Sequence, residues 1–253
     1  GGGIDIDGNV EVADSLALNA AENISLFGNW TVQVDFDTTA KTLDINGSGS
    51  SATFSSLSDE TTDVVGNITT TGSTTLTTGT DLTITGDLTV GSDFSVDVEG
   101  NVEASGDMTV GGNVLMDALG SVLLTAGQYS VDGNMSVTGH NLGITLIDIE
   151  ILNGVDLETT GSSVVWNNVS GKSSGNVSID STLGTVELLN STFETAGLLS
   201  VRAESITVED SRIIESQTLD LTAASGLDIS GSVFTSSADT SLSAGSTLEL
   251  SDS

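Results

Sequence analysis

From Asp81 onward the chain alternates apolar and polar residues in short bursts: Leu82 and Ile84, Leu88 and Val90, Phe94 and Val96. Twenty positions on, the same slots hold Val102 and Ala104, Met108 and Val110, Val114 and Met116. A third round, shifted by one after an insertion, gives Val122 and Leu124, Tyr129 and Val131, Met135 and Val137. Alternation with period two is the mark of a half-buried strand, and the Gly, Asp and Asn between bursts are turn formers. A strand with two inward side chains cannot bury its face alone. Stacking the units lines those side chains into columns and pairs the strands of successive coils in parallel. The pattern predicts an all-β fold: a parallel β-helix (β-solenoid) with about 20–21 residues per coil, roughly twelve coils and about three short strands per coil.

The period extends beyond this clear stretch. Val64, Ile68 and Leu76 stand one full period ahead of Ile84, Leu88 and Val96, and Gly66, Gly86 and Gly106 share a corner with Asn67, Asp87 and Asp107 behind them. A second register is read through Ile144, Val164, Val186, Ile206, Leu227 and Leu248. Two positions later come Leu146, Trp166, Leu188, Val208, Ile229 and Leu250. Seven positions after the first set come Ile151, Phe193, Ile213 and Phe234, with Gly171 the exception. The expected organisation is a single solenoid domain over 1–253, with an irregular loop-bearing coil at 37–63, regular coils over 61–140 and the second register over 141–253. The chain opens GGGIDIDGNV without Met and closes LELSDS, so a segment of a longer chain or fibre is expected.

Composition sharpens this picture. Hydrophobic residues make up 37% but aromatics only 4%, so the interior must be thin layers of Val, Ile, Leu and Ala. The absence of Pro suits strands that donate hydrogen bonds along both edges of a stack. With 36 acidic residues against 4 basic, the net charge of −32 repels nucleic acid and anionic membranes, and neither is expected as a partner. No Cys is present, so disulfides play no part in the fold.

The stretches LTITGDLTVG and LDLTAASGLDISGSVF resemble the β-helical shafts of filamentous-haemagglutinin-like exoproteins and related bacterial adhesins. The resemblance covers most of residues 61–253. It implies an extracellular or cell-surface shaft, secreted and displayed as part of a filament. The extreme acidity departs from that family, and no match to its N-terminal secretion domain is present.

Candidate chemistry is sparse. Eight Asn-x-Ser/Thr sequons, at Asn23, Asn29, Asn46, Asn67, Asn134, Asn168, Asn176 and Asn190, exceed what chance placement of 15 Asn gives, and they are the glycosylation candidates. The same triplet is also what the solenoid writes at a corner: turn Asn, inward apolar, outward hydroxyl. Asp87 above Asp107 at strand spacing repels by roughly 1 kcal/mol in a water-like dielectric. Ca²⁺ would relieve this, which makes the two aspartates the candidate metal ligands, beside the simpler reading of a solvated, screened corner. The Thr83-x-Thr85 pair raises ice binding, but the next coil offers Glu103 and Ser105.

No enzyme is expected. The basic residues are only Lys41, Lys172, Arg202 and Arg212, with a lone His140 at a turn, and the two arginines sit among Glu204, Glu209, Asp210 and Glu215 as neutralising partners. Trp30 and Trp166 could stack on sugars, although Trp166 falls in an inward slot. Neither end reads as a cap, so the expected partner is another copy, stacked end to end into a fibre. The functional expectation is a structural extracellular shaft, with a carbohydrate-binding or polysaccharide hydrolase-like β-helix as the alternative, acting through paired carboxylates.

Overall fold

The computed structural model describes residues 72–251 apart from 126, 146–147, 152–154 and 168, and N-terminal to these the strands between Ile4 and Thr70. Every regular element among the described residues is a strand, and every strand pairing is parallel. The fold is a parallel β-solenoid with about 21 residues per coil. The turns described in full number about eight; the roughly twelve expected also counted the N-terminal segment, where few side chains are described. The chain divides into two compact units, Gly1–Gly120 and Ser121–Ser253.

In the first unit each coil carries three short strands, as expected. Leu82–Thr85, Leu88–Val90 and Phe94–Val98 make one coil, and Val102–Ser105, Met108–Val110 and Val114–Ala118 the next. Leu88 lies on Met108, Val96 on Met116 and Phe94 on Val114, the same step along the chain each time. These inward side chains are essentially inaccessible to solvent. Full burial of each is worth about 1.5–3 kcal/mol, so the columns are the main source of stability. Outward residues form equally regular rows, and Thr69, Thr89 and Thr109 are stacked and exposed. Within 37–63, the strands Thr42–Ile45, Gly47–Gly49 and Ala52–Ser56 keep the ladder register, with Leu43 on Val64 and Phe54 on Leu76.

Corners of this unit are held by side chains that reach one coil on. Asp81 Oδ1 accepts the backbone N–H of Asn101 at 2.7 Å and its Nδ2–H at 3.0 Å. Asp93 Oδ1 receives the same two bonds from Asn113, at 2.8 and 3.1 Å. Gly86 and Gly106, at φ 127° and 120°, make the corner preceding Asp87 and Asp107.

The second unit winds differently. One long strand and one short strand alternate, as in Val177–Leu189 then Thr192–Thr195, and Leu198–Glu209 then Arg212–Ser216. The long strand continues through a corner as a bulge, with register breaks between Gly139 and Asn141, Ser181 and Thr185, and Ala203 and Ser205. The expected columns hold from Val164 upward, with Val164, Val186, Ile206, Leu227 and Leu248 in register. Below that they are corrected by two positions. Leu142, not Ile144, sits on Val164, and Ile144 sits on Trp166. Ile149, not Ile151, occupies the slot shared by Gly171 and Phe193, while Ile151 stacks on Ser173. The cause is the bulge: the partner of Gly139 is Thr159, but that of Asn141 is Ser163, so an extra pair of residues enters there.

A buried serine column runs up one corner of this unit. Ser191, Ser211 and Ser232 are almost wholly buried, each behind a residue with positive φ: Asn190 (50°), Asp210 (47°) and Gly231 (57°). Each hydroxyl donates to the carbonyl two positions back in its own coil, at 2.7, 2.9 and 2.8 Å respectively. Each also accepts a backbone N–H from the coil before, from Val169, Ser191 and Ser211 at 3.1, 3.1 and 3.0 Å. Three hydroxyls in a dry interior are thereby satisfied as donor and acceptor.

Candidate functional site

The two candidate metal ligands do come together. Asp87 Oδ1 accepts the backbone N–H of Asp107 at 3.1 Å, so part of the charge next to Asp107 is already met by a hydrogen bond. Among the described residues no group of three or more His, Cys, Asp or Glu is arranged to hold a metal ion. Asp87 and Asp107 thus do for their corner what Asp81 and Asp93 do for theirs.

Of the sequon asparagines, Asn134, Asn176 and Asn190 lie among the residues described with their side chains, and all three are exposed. Asn176 Oδ1 accepts the N–H of Leu198 at 3.0 Å, a corner bond of the Asp81 kind. Asn190 supplies positive φ, as Asp210 and Gly231 do one and two coils on without any sequon. Asn23, Asn29, Asn46, Asn67 and Asn168 fall outside the described side chains, as do Trp30 and Lys41.

Trp166 is packed inside, 3% exposed, with its ring edge-on to Phe193 at a centroid distance of 5.1 Å. Its buried indole N–H has no acceptor among the described residues. Gly171, in the same coil, contributes no side chain to its inward column. The phenol of Tyr129, 2% exposed, is pushed well above the usual tyrosine range by burial. His140 is exposed at its corner. Thr83 and Thr85 stack on Glu103 and Ser105, so the Thr-x-Thr row stops after one coil on that side.

Two of the cations, Arg202 and Lys172, pair across coils. Arg202 reaches Asp180 at 3.7 Å, its register partner one coil earlier, instead of the adjacent Glu204 or Glu209. Lys172 Nζ lies 3.0 Å from Glu150 Oε1, again its register partner. Both pairs are half exposed and each contributes at most about 1 kcal/mol.

Lys172 belongs to a site that sequence reasoning missed. Glu150, Lys172 and Glu194 follow one another up the outer face of the short-strand ladder in the second unit. They line an open groove of about 260 Å³ with Ile151, Ser173, Ser174 and Ala196. The equal spacing of the three along the chain was the signal, but it differs from the period of the first unit and becomes readable only once the bulge is known. Chemically the groove offers an ammonium held by one carboxylate, a second carboxylate beside it and hydroxyls at its edge. Searches against protein-family models, curated proteins and solved structures found no match for this chain.

Proposed function

We propose that the chain is a structural β-solenoid that forms the shaft of an extracellular surface filament or adhesin. The observation that carries this reading is repetition: coil after coil presents the same outward residue in register, as in the Thr69, Thr89, Thr109 row. Such sides provide stiffness and reach, since each coil is bonded to its neighbours along its strands. The high negative charge favours a solvated, non-aggregating surface. Glycans on exposed corner asparagines such as Asn134 and Asn176 would coat it.

End-to-end association of copies belongs to the same reading. Leu248 and Leu250 occupy inward columns and are 48% and 54% exposed, and a further coil, of this chain or of a second copy, would cover them. Electron microscopy of native material tests the proposal. Thin filaments bearing this chain are expected. A dispersed, unglycosylated protein that remains monomeric at high concentration, away from the cell surface, would count decisively against it.

A further inference from the structure

Within the second unit, several departures from the coil pattern fall in or beside the two coils that the bulge lengthens, those leading from Asn141 to Ser163 and from Ser163 to Thr185. There the inward column contains Gly171, Trp166 buries an unpaired indole N–H, and the outer face sinks into the groove over Glu150, Lys172 and Glu194. A cluster of such local departures points to a role other than stacking. Insertions into single repeats commonly shape the binding face of a repeat protein.

We propose that this groove binds a neutral saccharide, one sugar ring at a time, through its vicinal hydroxyls. Glu150 holds the Lys172 ammonium at 3.0 Å, which orients a donor over the groove. Glu194 is the register partner of Lys172 on the other side, about 4.8 Å along the stack, and its carboxylate makes no hydrogen bond or ion pair among the described residues. A carboxylate with both oxygens open accepts two O–H groups of a diol, and the neighbouring ammonium donates to the next hydroxyl or ring oxygen. The exposed Ala196 supplies a small apolar margin for a ring's C–H face, and Ser174 adds a hydroxyl. The ligand is neutral because the surrounding charge of −32 opposes an anionic sugar, while the Lys172 ammonium next to Glu194 opposes a second cation there. This inference does not depend on the shaft reading, since a groove of this kind works equally on a monomer.

The test uses the full chain on an array of neutral, uronic-acid and sialylated glycans, followed by saturation-transfer NMR on the hits. Neutral glycans are expected to bind with a dissociation constant on the order of millimolar. Glu194→Ala and Lys172→Met should each weaken this by about tenfold or more. Asp97→Asn on the first unit should leave it unchanged. Circular dichroism of each variant shows that the fold persists, as expected for exposed side chains. Absence of binding to every neutral glycan, preference for acidic ones, or binding indifferent to Glu194→Ala would each overturn the proposal. Filaments in the microscope would not rescue it, and their absence would not harm it.

Discussion

The backbone N–H of Ser191 donates to the hydroxyl of Ser211, 3.1 Å away and one coil on, and the Ser211 hydroxyl in turn donates to Glu209 O at 2.9 Å. One small side chain therefore ties together two coils at a corner where no strand ladder runs. Removing it strands a buried amide. Ser211→Ala should destabilise the protein by about 1–3 kcal/mol, the range for an unsatisfied buried donor. Denaturant unfolding of the variant checks this, and a double variant with Ser191→Ala should cost less than the two single changes added together.

Two glycines in the first unit should respond in opposite ways to the same substitution. Gly106 has φ 120°, and a Cβ there would run into the carbonyl oxygen of Gly86 in the coil below. Gly106→Ala should cost about 1–3 kcal/mol from the backbone alone. Gly79 has nothing within 4 Å of such a Cβ, so Gly79→Ala should change stability by no more than about 0.5 kcal/mol. Thermal melts of the pair separate the two.

Trp166 is a second informative position. Trp166→Phe removes ring volume but also the indole N–H that has no acceptor, whose burial costs about 1–3 kcal/mol. The two effects offset, and stability should change by less than about 1 kcal/mol. Phe193→Ala, in contact with the same ring, removes packing alone and should cost about 3–5 kcal/mol.

The chain has a single tyrosine, so its titration is free of overlap. Burial raises the folded pKa of Tyr129 above that of the unfolded chain. Its contribution to stability is therefore complete below the unfolded value of about 10 and declines as pH rises beyond it. Absorbance of the phenolate should stay silent at that pH in the folded protein and appear only together with unfolding. A phenolate signal with a midpoint near the unfolded value and an intact circular dichroism spectrum would contradict the burial of Tyr129.

Salt should stabilise. Stacked pairs such as Asp97 on Asp117 place like charges one strand apart in a chain of net charge −32. Added monovalent salt shortens the screening length from about 30 Å at 0.01 M to about 3 Å at 1 M. The melting temperature should climb through that range. A fall would mean that attractive pairs such as Lys172 with Glu150 outweigh the repulsion.

Much of this architecture is legible in the residues. Leu88 over Met108 follows from two periodicities that agree, one along the strand and one along the chain, and both come directly from which side chains water rejects. Register goes astray where those periodicities cannot help. A one-residue register error would pair Gly171 with the polar Glu150 and be noticed, whereas a two-residue error pairs it with Ile151 and keeps an apolar residue in the slot. Hydroxyl residues are hard for the opposite reason. Ser191 reads as a loop residue between Asn190 and Thr192, and only the coil beneath it reveals an interior position. Arg202 reads as a partner of its chain neighbours because nothing in a linear sequence says that Asp180 is closer. The candidate groove combines both difficulties, since Glu150, Lys172 and Glu194 meet through a bulge and across three coils.

That bulge has a consequence for how such a chain can change over time. The break between Gly139 and Asn141 admits two residues and the one between Ala203 and Ser205 admits one, so a coil can grow at that corner while the ladder resumes beyond it. Lineages of this protein should then vary in coil length there, by single residues as well as by pairs.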